Sequence, residues 1–234
     1  TALLAKVLKI VAESYLGADE EEVADLSDNV RAMSPGENGL TEKNAARLRQ
    51  FNEPRNKKLL LDTPTWLRRG AEANHVRRKQ DAIDLMMAAA TAILLFAPLR
   101  IGNLTNLSLS KNIRWPTRRG DPALVHVPGS DVKNNQDLDF ELPPDVVDVV
   151  RVYLEKARGW WLGPEDDRLF PFGDSAQTRR YFGELLGERV RRVSGLRVNA
   201  HLVRHIAEKL YLDANPGDYE TVRLLLGHKQ LKTT

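Results

Sequence analysis

Ala123-Leu-Val-His-Val127 and Leu138-Asp-Phe-Glu-Leu142 are the two stretches that decide the fold class. Each alternates apolar with polar residues, the period of a strand with one buried face. Gly129 to Asn135 between them supplies turn residues, so the pair reads as an antiparallel hairpin. Pro143-Pro144-Asp145 follows and caps a helix expected over 145–157. No other region gives a convincing strand signal.

Working outward, apolar residues recur at helical spacing. Asp81 to Ala97 is apolar almost all round, the mark of a buried central helix, and Pro98 ends it. Thr41 opens a basic helix to about residue 50, and another is expected over 65–74. After the hairpin, helices are expected over about 176–193, 199–213 and 218–226. Before it, the spacing predicts helices over 3–16 and 20–33, separated from the rest by Ser34-Pro35-Gly36 and Asn38-Gly39. The expected fold is mainly α with a small antiparallel β-sheet (α+β), not an alternating βαβ pattern. Residues 1–36 read as the remnant of a preceding helical domain or its linker, and 37–234 as the main domain.

The chain has 234 residues, 42% hydrophobic and 29% charged, which is the balance of a globular and not a disordered chain. It holds no cysteine, which excludes disulfides and thiolate metal sites and fits a reducing cytoplasm. The longest apolar run, Ala88 to Leu99, contains Thr91 and Pro98 and is too short to span a bilayer. With no secretory signal at the N-terminus, a soluble, cytoplasmic protein without membrane partners is expected.

The net charge of +3 says little, but its distribution says more. Residues 1–36 carry seven acidic residues against three basic ones. Residues 42–80 carry eleven Lys or Arg against four acidic residues, and a second basic stretch runs from Arg179 to Arg204. Such zones suit a polyanion such as double-stranded DNA. Arg47, Arg49, Lys57, Lys58, Arg77, Arg78 and Lys79 are the candidates for backbone contacts, with solvated helix faces as the alternative.

Five short elements carry the chemistry. Leu99-Arg100-Ile101-Gly102-Asn103-Leu104 follows the buried helix, and Lys133 sits in the hairpin turn. His201-Leu202-Val203-Arg204-His205 opens a helix, Leu225-Leu226-Gly227-His228 closes the next, and Lys232-Thr233-Thr234 ends the chain. In kind and order this resembles the tyrosine recombinase (phage integrase) family over roughly residues 40–234. The family pattern is an arginine after a buried helix, a hairpin lysine, His-x-x-Arg, Leu-Gly-His, then Thr-Thr-x-x-Tyr. The resemblance implies an integrase-type catalytic domain over 37–234. It also implies site-specific DNA recombination, typical of mobile elements, through a 3′-phosphotyrosyl intermediate, in a homo-tetramer on DNA. The catalytic residues would be Arg100, Lys133, His201, Arg204 and His228.

The chemistry explains those residue types. Phosphodiester exchange passes through a pentavalent phosphorane whose non-bridging oxygens are negative, and guanidinium groups, always charged and bidentate, suit it. Arg100 and Arg204 would be that pair. With two arginines and a lysine, no metal or cofactor is expected, and no Asp/Glu-rich two-metal motif lies near them. Lys133 would protonate the leaving 5′-oxygen as general acid. His201, one helical turn before Arg204, would hold the nucleophile's proton, and His228 would bond the scissile phosphate. Taken singly, Arg100 also reads as a helix C-terminal cation, Lys133 as loop surface and His228 as a post-helix residue. His201 with His205 has zinc-site spacing, but Leu202 stands where a zincin carries glutamate, and no metal is expected there.

Two departures from the pattern stand out. Asn103 occupies the position, three residues after the first arginine, where the family carries a carboxylate. The family's tyrosine falls about nine residues after the Leu-Gly-His histidine, three positions past Thr234. Of the tyrosines present, Tyr211 and Tyr219 are expected to pack in the core. The 234-residue chain is therefore expected to bind DNA without cleaving it. The alternative is a catalytically inactive DNA-binding paralogue, regulatory or a mobile-element relic.

Overall fold

The computed structural model describes residues 42–132, 135–173 and 175–225. The helices expected over 3–16 and 20–33, Lys133, His228 and Lys232-Thr233-Thr234 lie outside the described residues.

The chain forms α1 (Glu42–Arg49), α2 (Pro54–Ala73), α3 (Lys79–Phe96) and a short α4 (Ile101–Thr105). Then come β1 (Ile113–Arg114), β2 (Ala123–Val127) and β3 (Leu138–Leu142), followed by α5 (Pro144–Lys156), α6 (Ala176–Ser194), α7 (Ala200–Ala214) and α8 (Tyr219–Leu225). It is a mostly helical α+β fold with a three-stranded antiparallel sheet in the order β1-β2-β3.

α3 is the axis of the fold. Every residue from Asp81 to Leu94 is buried, and α2, α5, α6, α7 and β3 all contact the helix. Beyond Asp84 its sequence is apolar but for Thr91, so burial on all sides is the favourable arrangement. Its N-terminus is closed by Asp81, whose carboxylate accepts from the Arg78 backbone N–H at 3.1 Å, from Asn74 Nδ2 at 3.0 Å and from the Arg78 guanidinium. Those bonds, the Arg78 side chain first, hold the Asp81 pKa below the usual carboxylate range.

β2 and β3 occupy the residues their alternation predicts. Val125 faces Phe140 in register, and Ala123, Val125, Val127, Leu138, Phe140 and Leu142 are all buried on one side. Gly129 ends β2 where a side chain has no room: a Cβ there would meet the Asn135 backbone carbon at 2.9 Å. β1 was not expected. It is two residues long, and Ile113 pairs with Val125.

α2 corrects the expectation of a helix over 65–74. It begins eleven residues earlier, with Pro54 in its first turn, and runs straight through Pro64. A mid-helix proline costs about 3 kcal/mol. Here it sits on the buried face with Leu60, Leu67 and Ala71, and burial of that face against α3 offsets the penalty. The tyrosine expectation also needs correction. Tyr219 is 55% exposed, because α8 turns that face outward, and Tyr211 donates from its hydroxyl to Asp218 at 2.7 Å. Among the described residues the tyrosine at the core is Tyr153, fully buried and donating to the Leu169 carbonyl.

No helix among the described residues is long and apolar enough to cross a membrane.

Candidate active site

Arg100 stands between two helices. Pro98 cannot extend α3, and Leu99 is buried, so the chain turns through an extended Arg100 (φ −66°, ψ 149°) that serves as the N-cap of α4. A cation at a helix N-terminus opposes the helix dipole, so the dipole does not account for this arginine. Its Nη1 is buried with no hydrogen-bond partner among the described residues. Arg68 Nε and Arg189 Nε are likewise buried without a hydrogen bond, but each lies against a carboxylate, Glu72 at 3.5 Å and Asp84 at 2.8 Å.

Arg204 comes from α7, which Asn199 caps by accepting from the Leu202 N–H at 2.7 Å. Its side chain is buried, and Nη1 donates to the Pro98 carbonyl at 2.9 Å. That bond anchors α7 to the segment that carries Arg100. Burial, then the nearby Arg100 charge, lowers the Arg204 pKa to about 10, and Glu208 opposes the shift. Arg204 remains charged at neutral pH.

His201 lies one turn before Arg204 on α7. Its pKa is below the ordinary imidazole value, first because of partial burial and then because of His205, Arg204 and Arg100. The His201 and His205 rings meet edge to face with centroids 4.9 Å apart and Nε2 atoms 3.3 Å apart. His205 Nδ1 lies 3.3 Å from a Glu208 carboxylate oxygen.

The structure thus gathers Arg100, Arg204 and His201, contributed by two segments about a hundred residues apart. Two cavities adjoin Arg100 and His201, one each. One, of about 610 Å³, is lined by Arg100, Asn103, Asn106, Asn112, Asp131 and Arg179 among others. The second, of about 580 Å³, has His201 and Asn199 on one side and Arg180, Glu184 and Arg191 of α6 on another. Ile101 lines both. Gly187 of α6 permits this arrangement, since a Cβ there would meet the Val198 carbonyl oxygen at 2.7 Å, just before the α7 cap.

Asn103 is not idle. Its Nδ2 donates to the Asp131 carbonyl at 2.9 Å, tying α4 to the turn after β2. The amide does here what a carboxylate cannot, because a carboxylate has no donor for a backbone carbonyl. Sequence reasoning missed Arg179 as a lining residue of the Arg100 cavity. Its place in the basic stretch from Arg179 to Arg204 was the available signal.

The candidate backbone contacts fall in three groups. Arg47 and Arg49 lie on α1, the second exposed. On α2, Lys57 is ion-paired to Asp213 at 2.5 Å and Lys58 is exposed. Arg77, Arg78 and Lys79 are exposed where α2 joins α3, with Arg78 engaged by Asp81 as described. Among the described residues no group of three or more His, Cys, Asp or Glu is placed to hold a metal ion.

No protein-family model matches the sequence, and no curated protein matches it. Solved structures do resemble the fold. XerH site-specific recombinase in a pre-cleavage complex with its difH substrate matches with a TM-score of 0.51 at 22% identity, over 65% of this chain and 42% of that one. The fold is tyrosine-recombinase-like. XerH in a post-cleavage complex with palindromic difH gives a TM-score of 0.52 at 22% identity, over 65% of this chain and 41% of XerH. This chain therefore spans less than half the length of the recombinase it resembles.

Proposed function

We propose that this chain is the catalytic domain of a site-specific DNA recombinase of the tyrosine type. One observation carries the reading: one N–H of Arg100 is buried without a partner among the described residues, while the buried Arg204 bonds the Pro98 carbonyl, two residues before Arg100, and feels the Arg100 charge. Like charges brought together away from water are costly unless an anion joins them, and a phosphodiester has the matching charge and acceptors.

In this reading the scissile phosphate sits on Arg100 and Arg204, which stabilise its non-bridging oxygens as the phosphorane forms. A tyrosine encoded beyond Thr234 attacks phosphorus. Its oxygen bonds to phosphorus, its proton passes to His201, and the bond to the 5′-oxygen breaks. Lys133 protonates that oxygen, freeing a 5′-hydroxyl and leaving a 3′-phosphotyrosyl link. Attack by a partner strand's 5′-hydroxyl reverses the steps. The depressed pKa of His201 keeps it neutral, and so able to take a proton, at neutral pH. Lys133 follows Asp131, a lining residue of the Arg100 cavity, by two positions in sequence. His228 would complete the phosphate contacts. The chemistry assigned to these side chains needs no metal or organic cofactor.

The test is a nicked suicide DNA substrate given to the full-length protein. A covalent protein–DNA adduct that disappears in Arg204→Ala is expected. An adduct indifferent to Arg204→Ala would defeat the assignment. The second reading, a DNA-binding relative without cleavage, is favoured by Asn103 in the carboxylate position. Salt-sensitive DNA binding with no adduct from the full-length protein would select it.

A further inference from the structure

We infer that His205 and Glu208 are positioning residues that fix the tautomer of His201, leaving His201 Nδ1 as the atom that exchanges a proton. The inference rests on the reading of His201 as the proton holder.

The argument starts from the carboxylate. Glu208 is 12% exposed and His205 18% exposed in their side chains, so both sit mostly out of solvent. An ionised carboxylate only accepts, so the 3.3 Å approach of His205 Nδ1 to Glu208 requires a proton on that nitrogen. In its neutral form His205 then turns a bare Nε2 lone pair towards His201, whose Nε2 is 3.3 Å away. For the two nitrogens to bond, His201 must carry its hydrogen on Nε2 and donate it. Its lone pair is therefore on Nδ1. When Nδ1 takes a proton, the imidazolium keeps donating from Nε2 along the same line, and the Glu208 charge lies at the far end to stabilise it.

The surroundings make this chain necessary. After partial burial and His205, the charges of Arg204 and Arg100 also disfavour a proton on His201. From α6, Arg180 and Arg191 line its groove with Glu184 and Glu188, and Arg180 is ion-paired to Glu184 at 2.9 Å. Glu208 is the carboxylate that the His205 ring connects to His201. The paired Nε2 atoms also have a spacing that two metal ligands would show. Two adjacent guanidinium groups make the position hostile to a cation, and the carboxylate bond to His205 serves the proton chain instead.

The test uses the 234-residue chain with ¹⁵N-labelled histidine and two-bond ¹H–¹⁵N correlation spectra, which read each ring's tautomer directly. His205 is expected as the Nδ1–H form and His201 as the Nε2–H form. In Glu208→Gln and in His205→Ala, His201 is expected to become a mixture of tautomers. His205→Gln, whose amide oxygen can accept where Nε2 did, is expected to restore the Nε2–H form. A wild-type His201 in the Nδ1–H form, or one unmoved by Glu208→Gln and His205→Ala, would overturn the inference. This measurement involves no DNA. A recombinase lacking the relay would still form its Arg204-dependent adduct, and a relay in a protein that forms no adduct would still show its tautomers.

Discussion

Two regions of this molecule bury arginine, and they do so in opposite ways. Between α3 and α6, Arg189 is 4% exposed and pairs with Asp84 at 2.8 Å and Glu188 at 2.6 Å, and it also bonds Gln80. Arg192 joins Asp84 from the surface at 2.5 Å. Beside α4, by contrast, Arg100 meets another arginine, and one of its buried N–H groups has no acceptor among the described residues. The first arrangement surrounds its cation with carboxylates and holds two helices together. The second sets the Arg100 charge near Arg204, with Glu208 as a counter-charge to Arg204, and leaves one buried Arg100 N–H without an acceptor among the described residues, which is the feature that the proposed phosphate site uses. Burial alone does not distinguish the two regions; whether each buried guanidinium N–H lies against a carboxylate does.

The contrast can be broken most forcefully at Asp84. Asp84→Ala removes the carboxylate that Arg189 and Arg192 share and is expected to cost about 3–5 kcal/mol in denaturant unfolding. Arg100→Ala should do the reverse. It leaves unfolding stability unchanged or raised, while the rate of adduct formation by the full-length protein falls about 10²–10³-fold, the usual effect of removing a donor to a developing oxyanion. A large drop in stability in Arg100→Ala would erase the distinction between the two regions. A smaller effect sharpens it at the surface. Lys58→Ala or Lys79→Ala should reduce the log–log salt slope of DNA binding by about 0.9 per phosphate that the lysine neutralises. Arg78→Ala should change that slope less, because its guanidinium is engaged by Asp81.

The smallest effect is a titration. His201 binds its proton less readily in the folded chain than in the unfolded one. The unfolded state therefore takes up more protons as pH falls through the ordinary imidazole range, and folding stability declines in that window. An anion on Arg100 and Arg204 removes the repulsion. Phosphate is expected to raise the His201 pKa in an NMR titration, and a pKa insensitive to phosphate would place the anion elsewhere.

How much the sequence made legible follows from the range over which each signal acts. Strict alternation set the limits of β2 and β3, and a sequence apolar almost all round identified α3 as central. β1 was missed because two residues cannot display a period, and its existence depends on Val125 across the sheet. The start of α2 was misplaced because Pro64 reads locally as a boundary, while its tolerance comes from packing against another helix. At the site, Arg100, His201 and Arg204 were visible as residue types in order. That His205 turns Nε2 towards His201, and that Arg179 joins the Arg100 cavity, depend on directions that no local pattern encodes.

Gly187 carries no charge and no donor beyond its backbone, yet the absence of a methyl group there lets Val198 approach and sets where α7 starts. Any larger residue would move the start of the helix that bears both His201 and Arg204. In a mutational tolerance map this glycine should therefore rank with the charged residues, and a substitution there would resemble a chemical defect while altering only alignment.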